Sequence, residues 1–332
     1  MQRILAGAAL GFLSGAAAYK AIFRTLESSD EETVVKDYSS FSLAYGLPEF
    51  NSDLYHYNNH VVLYDNAKKV PVWVAEHLTL DNLRGTATRE QSQFQCDDYV
   101  PRLFRSSNDD YWDSGWSRGH MVPAGDNKHS QEAMNDTFYL TNIVPQDIDN
   151  NAYFWCKLER YCRSLARRYN FVEIVSGPLW LPLTTNDGRR FVKYDVIGKN
   201  DVAVPTHLFK VVVGENDEEI VIGAFVVPNK DIPDDKQPID YQRPIDVVEK
   251  MVGAKMFPRL DRRQTEDLCE RDGCKHLDSP EFELSLFQGI IEGAYSLPRL
   301  ETVWRRVKKS HPWLVEKLKG AYLNKRKQFQ QK

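Results

Sequence analysis

Cysteine is scarce, with five in 332 residues: Cys96, Cys156, Cys162, Cys269 and Cys274. So thin and odd a set cannot form a secreted disulfide framework, although the spacing of Cys269 and Cys274 is short enough to close one small loop. No second CxxC-type pair exists to complete four zinc ligands, so a zinc centre is not expected. A large excess of either charge sign is missing too. Lys+Arg number 43 against Asp+Glu 47, and 42% of residues are hydrophobic, which excludes wholly disordered, collagen-like and polytopic membrane classes. No repeat recurs at a solenoid or propeller period. Long apolar runs are absent apart from one at the N-terminus.

That run, Ile4 to Tyr19, is uncharged, with Arg3 before it, Lys20 and Arg24 after it, and no acid until Glu27. Its basic flanks fit a mitochondrial presequence and an uncleaved anchor equally well, and the alanines at 16–18 would also serve as a cleavage site. Extended to Phe23 by snorkelling of Lys20, the run reaches about twenty residues, enough to span a bilayer. Gly7, Gly11 and Gly15 would then line a close-packing face. Residues 1–40 are therefore expected to be a targeting or membrane-anchor segment, cleaved or retained.

Net charge conceals local patches. Residues 299–332 carry eleven Lys/Arg against two Glu, and Lys157 to Arg168 holds five basic residues and one Glu. Phosphate contacts depend on such patches rather than on the overall balance, although a charge run by itself is more often a solvated helix face.

The body reads as α+β with an antiparallel sheet. His60 to Tyr64 and Val70 to Val74 make a β-hairpin. Phe138 to Val144, Phe171 to Ser176, Phe191 to Ile197, Leu208 to Val213 and Ile220 to Val227 are further strand candidates, with a turn at Asn186-Asp187-Gly188. Helical spacing of Phe154, Leu158, Cys162 and Leu165 predicts a helix over about 153–168. Helices return near Leu300 and Leu314, beyond a Pro-rich boundary at 228–245.

Two motifs overlap at Ser117. Gly115-Trp116-Ser117-Arg118-Gly119 matches the G-x-S-x-G nucleophile elbow of esterases, whose serine sits on a strand-to-helix turn. Upstream acids and downstream Pro123 and Gly125 do not suit that turn. The same stretch also reads Ser117-Arg118-Gly119-His120, which suits phosphodiester hydrolysis. Such a hydrolase needs a base for water, a hard cation on the phosphate and positive charge for the developing oxyanion. His120 supplies a base, and Arg118, two residues away on an extended segment, shares its face. On a helix starting near Asn151, Glu159 lies within about 80° of Asn151 and Arg163 one turn further. An oxygen-only set completed by water suits Mg2+. Singly these residues have ordinary readings: a packed histidine, an N-cap asparagine, an i,i+4 ion pair.

Taken in order, Arg118-Gly119-His120, Asn142 before Ile143-Val144-Pro145-Gln146, Asn151, Glu159 and Arg163 resemble the ββα-metal DNA/RNA non-specific endonucleases, whose signature is D-R-G-H. Gly46-Leu47-Pro48, Trp73 to Leu78, Val175-Ser176-Gly177-Pro178 and Val204 to Leu208 point more closely to the mitochondrial EXO/endonuclease G branch. The likeness covers roughly residues 42–300.

The resemblance implies a ββα-metal nuclease core over 41–245 and a C-terminal helical wing with a basic tail over 246–332. It implies His120 as general base, Asn151 as the one direct protein ligand of Mg2+ (Mn2+ standing in), and Glu159 as metal ligand through water. Asn142 would support the site; Arg118, Arg163 and Arg89 would neutralise phosphate. Ser117, where the broad family has Asp, would alter the nucleic-acid path and favour 5′→3′ exonuclease action over endonuclease cleavage. Partners expected on the same ground are DNA, RNA and a second copy in a homodimer; the N-terminal run adds a membrane, and together they point to the mitochondrial inner membrane or intermembrane space. A general endonuclease and an inactive nucleic-acid-binding homologue are the alternatives.

Overall fold

In Val172-Glu173-Ile174-Val175-Ser176 and Leu208-Phe209-Lys210-Val211-Val212-Val213 successive side chains point to opposite faces, yet every one is buried. Both faces of such a sheet must be covered. The computed structural model describes residues 54–331; the N-terminal segment lies outside them. Its strands of three or more residues are β1 (Leu54–His56), β2 (His60–Asp65), β3 (Val70–Leu78), β4 (Ser117–His120), β5 (Ile143–Gln146), β6 (Phe171–Leu179), β7 (His207–Glu215), β8 (Ile220–Pro228) and β9 (Thr265–Asp267). Seven of them form one sheet in the order β1-β2-β3-β6-β7-β8-β9, antiparallel except for β9 alongside β8. β4 and β5 make a separate antiparallel ribbon.

The expected hairpin is β2 and β3. Asp65 closes it by accepting from the amides of Ala67 and Lys68 at 2.9 and 3.0 Å, and Lys69 takes the left-handed conformation at φ 57°. Two expected strands come out differently. Over 138–144 only Ile143 onward is extended, because Leu140–Asn142 is a 3-10 turn held by the buried side chain of Asn142. Over 191–197 only two-residue stubs pair, since most of the segment is exposed and has no sheet face to cover. The turn at 186–188 does join two short strands, Leu183–Thr184 and Arg190–Phe191.

The α-helices of eight or more residues are α1 (Cys156–Leu165), α2 (Ile245–Val252), α3 (Pro280–Glu292), α4 (Leu297–Ser310) and α5 (Val315–Gln330). Leu158, Tyr161, Cys162 and Leu165 of α1 pack with Val62, Val74, Ile174, Leu208 and Val212 on one face of the sheet. Val248 of α2 packs with Trp73, Val175, Phe209 and Val211 on the other. α3 to α5 share a third apolar cluster with Tyr153. The basic segment 299–332 is thus not a solvated tail: Leu300, Val303, Trp304, Val307, Leu318 and Tyr322 are buried, and Arg299 and Arg306 pair with Asp149, Asp231 and Asp234. Cys269 and Cys274 are disulfide-bonded, and the Tyr161 hydroxyl donates to Cys274 Sγ at 3.3 Å. Among the described residues no helix is long and apolar enough to cross a membrane.

Gly177 in β6 permits a close approach to β3 and to Phe209 of β7. A Cβ there would lie 2.6 Å from the Val72 carbonyl oxygen and 2.7 Å from the Phe209 ring. Gly177→Ala is expected to lower stability by roughly 1–3 kcal/mol through overpacking. Urea unfolding measures this, and an unshifted midpoint would mean that the strand yields freely.

Candidate active site

Strand β4 sorts its side chains by alternation. Arg118 and His120 emerge on one face, as expected, and both meet Phe94: the guanidinium lies 4.3 Å from its ring centroid and the imidazole 5.2 Å. Phe138 closes the other side of the imidazole at 4.8 Å, edge-on. His120 is left 8% exposed, with Nε2 buried and without a hydrogen-bond partner. Burial, reinforced by Arg89 and Arg118, pulls its pKa down to about 3. The ring is therefore a neutral acceptor at physiological pH, the form a base requires. The Trp155 indole donates to the His120 carbonyl oxygen at 3.4 Å, which ties β4 to the helix opposite.

Asn142 does not face the cleft. It is fully buried, where its Oδ1 accepts from the Val122 amide at 2.9 Å and its Nδ2 donates to the carbonyls of Val122 and Thr137 at 2.9 and 2.8 Å. Its work is to fix the turn two residues beyond His120.

The catalytic-side helix does not begin as an α-helix. Asn151–Trp155 is a single π-helical turn that runs into α1. Such a turn takes up about one extra residue, so the eight-residue step from Asn151 to Glu159 acts as about seven, near 700° rather than 800°. The two side chains therefore line up more closely, within about 20°. Among the described residues nothing donates a hydrogen bond to Asn151 Oδ1 or to the Glu159 carboxylate. Burial pushes the Glu159 pKa up to about 7, against the pull of Arg163 and Lys210.

The three expected phosphate cations differ. Arg89 is exposed, stands 5.6 Å from the Phe138 ring centroid and has no carboxylate partner among the described residues. Arg118 spends one Nη1 hydrogen on Asn108 Oδ1 at 2.6 Å and otherwise faces Phe94. Arg163 is already engaged, its Nη1 2.6 Å from Oδ1 of the buried Asp126. Ser117 sits on the face opposite His120, on a paired strand rather than a sharp elbow, and its Oγ donates to the Gln146 carbonyl at 2.8 Å. No esterase nucleophile is assembled there.

Sequence reasoning missed the aromatic walls Phe94 and Phe138 and a buried charged layer beneath the site. Lys210, 1% exposed, reaches from β7 to donate to Ser176 Oγ at 2.7 Å and lies 5.1 Å from the Trp155 ring centroid. Glu76 on β3 is fully buried, and burial together with nearby Asp126 holds its pKa well above the ordinary carboxyl range. A charged residue inside an unbroken apolar strand was the available signal for both.

A profile of the DNA/RNA non-specific endonuclease family matches residues 39–263. The chain belongs to that family. The mitochondrial nuclease EXOG of Mus musculus is 45% identical over 319 residues, 93% of this chain and 87% of its own length. The Homo sapiens protein of that name is 46% identical over 269 residues, covering 80% and 73%. Mitochondrial endonuclease G of Homo sapiens is 41% identical over 218 residues, covering 65% and 73%. In a crystal structure of an EndoG/EndoGI complex, the superposition gives a TM-score of 0.67 at 36% identity, over 71% of this chain and 97% of that one.

The family is divalent-metal dependent. Among the described residues no group of three His, Cys, Asp or Glu side chains is arranged as a metal cage. The donor chemistry here fits a hydrated cation instead: one amide oxygen at Asn151 and a carboxylate at Glu159, neither of them taken by a hydrogen-bond donor among the described residues.

The low pKa of His120 has a testable sign. The unfolded chain takes up a proton near pH 6.5 that the folded chain refuses until about 3, so this residue withdraws stability as the pH falls through that window. NMR titration of the metal-free protein should find the His120 ring neutral from pH 8 to 5. A midpoint near 6.5 would contradict its burial.

Proposed function

We propose that this chain is a Mg2+-dependent nuclease that hydrolyses phosphodiester bonds of DNA and RNA, chiefly from 5′ ends, with endonuclease cleavage secondary. The observation that carries the reading is a neutral imidazole, His120, walled by Phe94 and Phe138 and flanked by the cations Arg89 and Arg118. A bound divalent cation would supply Lewis-acid stabilisation of the phosphate and leaving oxygen. Asn151 and Glu159 are the residues that would hold it.

His120 takes a proton from the attacking water; its low basicity in the resting site rises as the phosphate's negative charge offsets Arg89 and Arg118. Those two guanidinium groups bind the phosphate and meet the charge that builds on its oxygens. Glu159 accepts a hydrogen bond from water in the cleft. Arg163, held by Asp126, places positive charge behind Glu159 rather than reaching out alone. Nε2 of His120 is buried without a partner, so Nδ1 is the nitrogen that would meet the attacking water.

The names of the relatives support a mitochondrial setting. We place the protein at the inner membrane or intermembrane space, anchored or delivered by residues 1–40, and working as a homodimer. We divide the rest into a nuclease core at 41–245 and a helical wing at 246–332. Serine at position 117 supports the end-directed mode.

The test is digestion by the full chain of one duplex labelled at its 5′ ends and another labelled internally, with Mg2+ or EDTA. Short 5′-labelled products are expected with Mg2+ alone, and His120→Ala should lower the rate by at least about 10²-fold. Internal fragments would favour the endonuclease G type of action, and no cleavage would leave a binding protein.

A further inference from the structure

Ser117 and Asn151 touch across the gap between β4 and the π-helical turn: Asn151 Nδ2 lies 3.1 Å from Ser117 Oγ. We propose that Ser117 is a positioning residue that decides which end of the Asn151 amide faces the cleft, and so sets how tightly this chain holds its divalent cation. The inference rests on the nuclease reading above and deepens it.

Hydrogen-bond direction carries the argument. Ser117 Oγ is 2.8 Å from the backbone carbonyl oxygen of Gln146. A carbonyl oxygen only accepts, so the single hydroxyl hydrogen of Ser117 is spent there. The hydroxyl can then meet Asn151 only as an acceptor. The NH2 end of the amide is thereby turned toward Ser117 and Oδ1 away from it. This assignment follows from the donor and acceptor inventory, not from telling nitrogen from oxygen by shape. A hard cation binds the oxygen end and is repelled by the NH2 end.

The carbonyl that orders Ser117 is itself held. Ser117 and Gln146 are partners in the β4–β5 ribbon. The Gln146 side chain donates to Asn150 Oδ1 at 2.8 Å, and Asn150 Nδ2 donates to the carbonyls of Pro228 and Lys230 at 3.0 Å each. Those carbonyls again accept only, so the amide of Asn150 has one allowed direction. Gly119 makes room for this chain of bonds, since a Cβ there would fall 2.0 Å from Gln146 Oε1. The residue before Asn151 and the residue facing it are both pinned, which leaves Asn151 little freedom to flip. A carboxylate at position 117 would accept from Asn151 but would set an acceptor against the Gln146 carbonyl. The serine hydroxyl satisfies both.

The test compares Ser117→Val with Ser117→Thr, two side chains of one shape of which only threonine keeps the hydroxyl. Mn2+ binding to the full chain is followed by electron paramagnetic resonance, beside Asn151→Ala and with thermal melting as the check on folding. Ser117→Val should weaken Mn2+ binding by about 10- to 100-fold, the usual cost of losing an orienting partner of a metal ligand, while Ser117→Thr stays close to wild type. In cleavage assays the Mg2+ midpoint should move by the same factor. Equal binding by the Val and Thr variants, with Asn151→Ala weakened, overturns this inference alone. If Asn151→Ala also binds like wild type, the metal assignment falls and this inference with it.

Discussion

Beneath the site two buried carboxyl side chains, Glu76 and Asp126, lie with the buried Lys210, and the half-buried Glu159 and Arg163 stand at their edge. Charges taken out of water are costly unless they meet one another, and removing one partner strands the rest. Lys210 rises from a central strand, Arg163 descends from α1, and Asp126 sits on the loop that follows His120. The sheet, the helix and the segment that follows His120 are therefore joined by one electrostatic settlement. Burial raises the Glu159 pKa while Arg163 and Lys210 oppose that rise, Asp126 holds Arg163 in place, and the loop that carries Asp126 follows directly on His120.

Much of this was legible in the sequence, and for definable reasons. The hairpin at 60–78 and strands β6 to β8 follow from β-branched alternation, a local property. The sharing of a face by Arg118 and His120 follows from the period of an extended chain. What escaped were features set by distant partners. Asn142 looks like a strand residue until the backbone groups of Val122 and Thr137 are brought to it. Phe94 and Phe138 are unremarkable apart in sequence and become a pair of walls only when the ribbon is closed. The step from Asn151 to Glu159 was legible as a shared helical face, whereas the wide turn that sharpens it has no signature in residue type.

The C-terminal basic segment shows how composition misleads when read without periodicity. Its lysines and arginines are numerous, but its apolar residues fall at helical spacing and bury against α3. Several of its cations are used internally, on Asp149, Asp231, Asp234 and Glu301. What remains for an external anion is the exposed balance, a smaller quantity than the count suggests.

The wide turn at Asn151–Trp155 has a mechanical consequence. Three consecutive aromatic side chains leave it in different directions: Tyr153 enters the cluster of the C-terminal helices beside Phe287, whereas Phe154 and Trp155 enter the core against the sheet. Asn151 leaves the same turn toward Ser117. One turn of chain is thus hinge pin, bearing and pointer together. The packing of Tyr153 beside Phe287 is therefore tied, through a single turn of chain, to the residue that meets Ser117 and to the core against the sheet.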